Sequence, residues 1–249
     1  MYQIRTDLAL ETQEKMQEDK VELKGVRYFE EEVDKNLVIS TVVIETENGA
    51  KTMGKPKGTY ITIEAGNMDE EDEDYHREIS IQLARIMKRL IPVKKEEVSV
   101  LVVGLGNRAV TPDSLGPRVA DNLSITRHIL KEYGRFAFGK EGVNCVSSIV
   151  PGVMAQTGME TMELIRGVVE EIRPDVVMAV DALAAGSPKR LNTTIQLTDT
   201  GISPGAGVGN NRKELNETSL GCPVIAIGVP TVLDAVTIAK EEVEEDVKA

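Results

Sequence analysis

Residues 98–117 read VSVLVVGLGNRAVTPDSLGP, and the order of residue types in this stretch decides the fold. Val98 to Gly104 forms a continuous apolar run, which is typical of a parallel strand that is covered on both faces. The glycines that follow allow the backbone to turn sharply as it leaves the strand, and a helix is predicted from about Ser114. A strand, a glycine-rich loop and a helix in this order indicate an α/β architecture.

The same alternation continues towards the C-terminus. Further apolar strands are predicted at 143–150, 175–180 and 223–228, and helices at 158–172 and 231–242. We therefore predict a doubly wound, mostly parallel sheet covered by helices, with its core at residues 98–242.

The N-terminal third adds a hairpin and a helix to this core. β-Branched strands are predicted at 37–46 and 59–65, joined through a Gly/Lys-rich turn at 49–58, and helices at 9–20 and 75–91. The acidic run at 69–74 is predicted to be a solvated surface loop. We expect residues 9–97 to be additions to one α/β domain.

Composition excludes several classes of protein. The chain has 249 residues, of which 41% are hydrophobic and 28% charged, in keeping with a globular domain. Its formal net charge is −12, concentrated in the runs 69–74 and 241–246, and no basic cluster stands out. Direct binding to nucleic acid needs a basic face and is not expected. No apolar run approaches the roughly 18 residues of a membrane span, and no secretory signal is visible.

Histidine and cysteine are scarce. Cys145 and Cys222 are predicted to be buried core thiols, and His76 and His128 to be surface residues. Two histidines cannot make a His-rich metal site, and no acid-rich ligand loop accompanies the aspartates discussed next, so neither a metal nor a cofactor is expected. Aspartate and glutamate are left as the acid–base groups.

Asp113 and Asp181 follow two of the predicted strands. In open α/β sheets ligands bind beyond the carboxyl ends of the strands, which makes both aspartates candidates for catalysis. Asp113 could equally be the N-cap of the helix that begins near Ser114, and Asp181 could be a hydrogen-bonded cap of its loop.

Other candidates lie near the same predicted edge. Asp234 falls in the first turn of a predicted helix, where the helix dipole favours an acid, and with Asn107 and Thr111 it is a candidate for a supporting role. The glycine-rich loop at 201–209 could cover a cleft or be a plain surface loop. Ser203 lies in it, but no histidine is placed to activate a serine nucleophile.

Two carboxylates held close together cannot both ionise easily, so one of them keeps a proton. Such a pair supplies a general base that activates water and a general acid that protonates a leaving group. The candidate chemistry is therefore hydrolysis by paired aspartates.

Several long motifs resemble the germination proteases of spore-forming bacteria, which degrade small acid-soluble spore proteins. The matching stretches are RTDLALE (5–11), GLGNRAVTPDSLGP (104–117), PGVMAQTGMET (151–161), VDALAAG (180–186), TGISPGAGVGNNR (200–212) and IGVPTVLDA (227–235). The resemblance implies an atypical aspartic endopeptidase whose essential aspartates are Asp113 and Asp181. It also implies a fold similar to that of hydrogenase-maturation proteases.

The resemblance carries further expectations about processing and partners. It implies a zymogen that removes its own pro-segment, residues 1–8, by cutting between Leu8 and Ala9. Asp7 could instead cap a helix that begins at Leu8. It also implies small acid-soluble spore proteins as substrates, a homotetramer, and a place in the cytoplasm of the forespore and spore core.

Two other classes of function stand beside this one. The GLGN motif also opens the peptidyl-tRNA hydrolases, so a nucleotide- or peptidyl-tRNA-handling α/β hydrolase is the alternative, although it needs a basic RNA face and a histidine after the glycine loop. A non-enzymatic assembly subunit is the third interpretation, and loss of activity on substitution of Asp113 would exclude it.

Overall fold

The computed structural model of the chain describes residues 6–66, 68, 72–139, 142–204 and 213–233. In chain order its helices and strands are α1 (Ala9–Glu18), β1 (Val26–Asp34), β2 (Leu37–Ile44), α2 (Glu47–Met53), β3 (Gly58–Ala65), α3 (Glu73–Leu90), β4 (Ser99–Gly104), α4 (Leu115–Asp121), α5 (Arg127–Tyr133), β5 (Cys145–Ile149), α6 (Met154–Thr157), α7 (Thr161–Ile172), β6 (Val176–Ala185), β7 (Thr194–Thr198), α8 (Glu217–Leu220) and β8 (Val224–Leu233). Short 3₁₀ turns lie at Thr111–Asp113, Arg135–Phe138 and Pro188–Arg190.

All eight described strands form one sheet, in the order β1-β2-β3-β7-β8-β6-β4-β5. The four strands β8, β6, β4 and β5 pair in parallel. The other four pairings among the described strands are antiparallel: β1 with β2, β2 with β3, β3 with β7, and β7 with β8. The α/β prediction is confirmed, but the sheet is mixed rather than mostly parallel.

Helices cover both faces of the sheet, as predicted. In β4, Val100 and Val102 belong to the apolar cluster that includes α3, whereas Leu101 and Val103 belong to the cluster that includes α7. The two helices predicted at 75–91 and 158–172 face these clusters with apolar residues at helical spacing, Ile79, Ile86 and Leu90 in α3 and Met162, Ile165 and Val169 in α7. This alternation follows from the two-residue period of a strand.

The N-terminal additions continue the same sheet. β1 was not predicted, because its run VRYFEEEVD is polar and exposed along most of its length. The short helix α2 overlaps the first half of the predicted turn at 49–58 and is capped by the side chain of Thr46. β7, which joins the additions to the parallel strands, was also missed.

Two strands run further than predicted, and this changes the context of the candidate residues. β6 extends through Asp181 to Ala185, so Asp181 lies within a strand and does not cap a loop. β8 extends to Leu233, so the helix predicted at 231–242 is wrong for its first three residues, and the rest of that range lies outside the described residues.

The other predictions on surface and burial have mixed outcomes. His76 and His128 are exposed as predicted, whereas both cysteines are only half-buried. Of the acidic run 69–74, the first three residues lie outside the described residues, while Asp72 caps α3 and the other two begin that helix. In the part of the chain that the structure describes, no helix is long and apolar enough to cross a membrane.

Candidate active site

A cavity of about 560 Å³ opens at the carboxyl ends of the parallel strands, and both Asp113 and Asp181 line it. Its walls come from the ends of β4, β6 and β8, from β7, and from the loop after α2. The structure therefore brings the two predicted catalytic residues into one cavity, at the edge of the sheet where an α/β fold places its ligands.

Asp113 ends the 3₁₀ turn before α4 and is half-buried. Its carbonyl accepts a hydrogen bond from the amide of Asn107 at 2.9 Å, which folds the loop back on itself. A Cβ at Gly106 would lie 2.1 Å from that carbonyl oxygen and 2.9 Å from the carboxylate Oδ1, so only glycine leaves room for Asp113 here. The N-cap of α4 is Ser114, so the capping interpretation of Asp113 is wrong.

Asp181 lies inside β6 and is only 7% exposed. Its Oδ1 accepts a hydrogen bond from the amide of Ala182 at 2.9 Å. The backbone of the strand therefore helps to hold the carboxylate in place at the cavity.

Close backbone packing joins the strand of Asp181 to the loop of Asp113. The amide of Leu105 donates to the carbonyl of Val180 at 2.8 Å. A Cβ at Gly116, in the first turn of α4, would lie 2.3 Å from the carbonyl oxygen of Leu105 and 2.4 Å from that of Val180. Glycine at 116 therefore lets α4 press against β4 and β6, and this contact brings the Asp113 loop towards Asp181.

The predicted supporting residues have different outcomes. Asn107 does not line the cavity but shapes the loop, since its Oδ1 accepts from the amide of Ala109 at 3.0 Å and from Gln156 Nε2 at 3.1 Å. Thr111 is exposed and does not line the cavity either. Asp234 lies outside the described residues.

Thr231 and Ser203 also belong to this region. The hydroxyl of Thr231 donates to the carbonyl of Pro112 at 2.6 Å, so β8 is tied directly to the turn that carries Asp113. Sequence reasoning missed this contact because 231 was expected to begin a helix. Ser203 lines the cavity, whereas residues 205–212 of its glycine-rich loop lie outside the described residues.

Residues 6–11, called the N-terminal segment below, are docked beside the cavity. The amide of Asp7 donates to the carbonyl of Ala184 at 2.9 Å, and the amide of Ala184 donates to Asp7 Oδ2 at 2.8 Å. α1 begins at Ala9 with no side-chain cap, so the interpretation of Asp7 as a cap is wrong. Asp7 itself lines the cavity.

The predicted cleavage residues are buried. Leu8 and Ala9 are both 0% exposed, and Leu8 packs in a small apolar cluster with Leu183 and Ala185 of β6. The carbonyl of Leu8 lies in the first turn of α1, where it accepts from the hydroxyl of Thr12 at 3.2 Å. Any cut between these residues requires the segment to leave its place.

Two polar side chains that the sequence did not single out hold the carbonyl of Asp7. Lys55 Nζ donates to it at 2.9 Å and Gln196 Nε2 at 3.1 Å. Burial lowers the pKa of Lys55, while the charges of Asp7 and Glu11 act in the opposite direction. Burial also raises the pKa of Asp7, although the amide of Ala184 and the charge of Lys55 favour its ionised form.

Glu11 anchors the other end of the N-terminal segment. Its carboxylate accepts from the amide of Gly186 at 2.6 Å and from that of Ser187 at 3.1 Å. Its pKa is raised by burial, and the hydroxyl of Thr6 and these amides offset part of that rise. The segment is thus fixed at Asp7 and at Glu11, on either side of the buried Leu8.

Arg190 fastens the helix that follows the segment. Its guanidinium binds both carboxylate oxygens of Glu14, at 2.6 and 2.7 Å, and Glu64 of β3 at 2.8 Å. Burial works against its charge, but the hydrogen bonds and charges of Glu14 and Glu64 raise the pKa of Arg190 above its usual range. A bidentate guanidinium–carboxylate pair fixes geometry as well as charge.

Among the described residues, no group of three His, Cys, Asp or Glu side chains is placed to hold a metal ion. The carboxylates of Asp113 and Asp181 that line the cavity are groups that can perform acid–base chemistry.

Comparison with known proteins identifies the family. Residues 4–248 match the family described as germination protease. The germination protease of Caldanaerobacter subterraneus is 51% identical over 245 residues, which cover 98% of this chain and 74% of that protein. That of Bacillus subtilis is 46% identical over 249 residues, covering 98% of this chain and 67% of that protein. The chain thus spans about two thirds to three quarters of the length of these relatives, and it belongs to the germination protease family.

Proposed function

We propose that the chain is an endopeptidase that hydrolyses small acid-soluble spore proteins during germination, with Asp113 and Asp181 as its acid–base pair. The observation that carries the proposal is that both carboxylates line one cavity, and that this cavity borders a bound stretch of the chain's own backbone, Asp7 and Leu8, which precedes the helix α1. Membership of the germination protease family supports the reaction class and the role in germination.

The proposed mechanism uses one ionised and one protonated aspartate. The ionised carboxylate takes a proton from a water molecule, whose oxygen attacks the carbonyl carbon of the scissile peptide bond. The protonated carboxyl gives its proton to the amide nitrogen, the carbon–nitrogen bond breaks, and an acid and an amine are released. The proton shared by the pair is thereby regained from the attacking water.

The catalytic pair is tested by Asp113→Asn and Asp181→Asn. Each change removes one proton-transfer group while keeping its size, so cleavage of a purified small acid-soluble spore protein should fall by about 10²–10⁴-fold. Asp34→Asn, at an exposed position in the β1–β2 hairpin, is the matched control and should cleave at the parent rate. If a folded chain with Asp113→Asn or Asp181→Asn still cleaves at that rate, the pair is refuted.

Cleavage is also proposed to be independent of metal, since no metal-binding group of side chains is found among the described residues. Exhaustive chelation should leave the rate unchanged. Loss of activity that added metal restores would assign the reaction to a different class.

We further propose that the chain is a zymogen that cuts itself between Leu8 and Ala9. The burial of both residues implies that the N-terminal segment must first detach. Mass spectrometry of the active form should then show a new terminus at Ala9 that fails to appear in the Asp113→Asn chain. A cut at another bond would refute the assigned position, and an active chain with residues 1–8 intact would refute self-processing.

The remaining expectations from the resemblance are proposed on the same basis. They are a homotetramer and a place in the forespore and spore core, where the substrates would be found. Light scattering of the purified chain tests the first, and imaging of a tagged chain in sporulating cells tests the second.

A further inference from the structure

The side chain of Gln196 contacts the main chain of the N-terminal segment at two points. Its Nε2 donates to the carbonyl of Asp7 at 3.1 Å, and its Oε1 accepts from the amide of Ala9 at 2.7 Å. A residue of a parallel strand binds its neighbour in this way, through the carbonyl of one residue and the amide two residues later. The carboxamide of Gln196 therefore takes the place of one residue of an adjacent strand, with Leu8 between the two contacts.

Gln196 lies on the same row of the sheet as the candidate catalytic residue Asp181. Gly228 of β8 pairs with Asp181 on one side and with Gln196 on the other. Residues paired across a sheet point to the same face, and strands lie about 4.8 Å apart, so the two Cα atoms are roughly 10 Å apart. Both residues line the cavity, so the contacts of Gln196 lie on the same side of the sheet as the candidate catalytic carboxylate.

Burial and a second donor strengthen this site. Gln196 is 7% exposed, so its two contacts are made away from solvent, where an unmade hydrogen bond costs most. Lys55 adds its Nζ to the same carbonyl of Asp7 at 2.9 Å. All three contacts use main-chain atoms of the segment, which any extended peptide also carries.

We propose that Gln196, with Lys55 as an additional donor, is the site at which the cavity binds the main chain of an extended polypeptide, and that the N-terminal segment occupies this site in cis. The inference rests on the proposed peptidase function and names the residues that position its substrate. The ligand class is an extended polypeptide stretch, because the two contacts need a free carbonyl and a free amide two residues apart, which the interior of a helix does not offer.

Binding of a peptide in trans tests the proposal. The probe is a fluorescently labelled peptide of the chain's own residues 4–12, IRTDLALET, and a second peptide in which lactic acid replaces the residue of Ala9. In that ester an oxygen replaces the N–H of Ala9 that donates to Gln196 Oε1. The full chain carries Leu8→Asp, which is expected to expel the segment from its apolar cluster because it would bury a charge there, and Asp113→Asn, which by the proposed mechanism prevents cleavage.

Fluorescence anisotropy should show that the ester binds about tenfold more weakly than the amide, the worth of a buried hydrogen bond. Adding Gln196→Leu should weaken binding of the amide peptide and abolish the difference between the two. Gln82→Leu is the matched control, since Gln82 is as buried as Gln196 but lies in α3, outside the cavity. With that change the tenfold difference should remain, and circular dichroism verifies that every chain folds.

Two results overturn the inference: an ester penalty that persists in the Gln196→Leu chain, or no binding of the amide peptide up to about 1 mM. The titration measures binding with cleavage blocked. The titration therefore tests the peptide-binding role of Gln196 independently of the proposed catalytic pair, which is tested by rates of hydrolysis.

Discussion

Asp7 shows how a single buried carboxyl can make the N-terminal segment sensitive to pH. Its pKa is raised from the ordinary 3.8, chiefly by burial. A raised carboxyl pKa means that the folded chain binds the proton more tightly than the unfolded chain. The stability that this group contributes is therefore complete below the ordinary pKa and is lost as the pH rises through the raised value.

Asp7→Asn tests this dependence. Asparagine keeps an oxygen that can accept from the amide of Ala184 but cannot ionise. We expect the stability of the parent chain, relative to the Asp7→Asn chain, to fall as the pH rises from about 4 towards 8. Urea unfolding at several pH values gives the two free energies, and a difference that stays constant or rises with pH would contradict the assigned shift.

At the scale of single residues, the sequence indicated the two aspartates but not the side chains that hold a peptide near them. Asp113 and Asp181 come after apolar runs of the sequence, and that position can be recognised from the sequence alone. Lys55 was part of a predicted turn, and Gln196 was in a strand that the sequence did not predict. Their roles arise from contacts with Asp7 across 48 and 189 positions of the chain, which no local pattern records.

At the scale of elements, the contact between α4 and the strands β4 and β6 fixes the distance between the two aspartate-bearing segments. A methyl group at Gly116 would meet two backbone carbonyls, which cannot move without shifting the strands. We expect Gly116→Ala to destabilise the chain by about 1–3 kcal/mol and to lower peptidase activity, because α4 and the Asp113 turn are pushed outward.

Gly167→Ala is the matched control for that change. Gly167 lies in the middle of α7, and a Cβ there meets nothing within 4 Å. Alanine is the better helix former, so this change should stabilise the chain by about 0.5–1 kcal/mol with no loss of activity. Urea unfolding measures both variants, and equal effects of the two substitutions would show that close packing at 116 is unimportant.

The sequence predicted the type of an element correctly where its apolar residues were regularly spaced. The length of a strand was predicted wrongly where a polar residue or a proline interrupted the apolar run. Helices α3 and α7 and strand β4 were predicted within a few residues of their ends. The predicted β6 ended at Val180, but the strand continues through the buried Asp181 to Ala185. The strand predicted at 223–228 ended at Gly228, but β8 continues through Pro230 to Leu233, although proline removes a ladder donor.

At the scale of the whole molecule, the N-terminal additions and the parallel strands share one sheet and one main apolar cluster. β3 pairs with β7 over five positions, and β7 pairs with β8. The cluster contains Ile61 of β3 together with Val100 of β4 and Val176 of β6. The sequence could divide the chain into additions and core, but the long-range pairing that makes them one unit depends on β7, whose five residues carry too short a pattern to be recognised.

This shared core predicts that the additions and the parallel strands unfold together. Ile61 is 0% exposed at the centre of the common cluster. Ile61→Ala removes buried methyl and methylene groups and leaves a cavity, at an expected cost of about 2–5 kcal/mol. Because the cluster spans both parts, hydrogen exchange of the β4 amides should accelerate along with that of β2 and β3 under conditions where exchange reports global unfolding. Faster exchange confined to β2 and β3, with β4 unchanged, would show that residues 9–97 unfold as a separate unit.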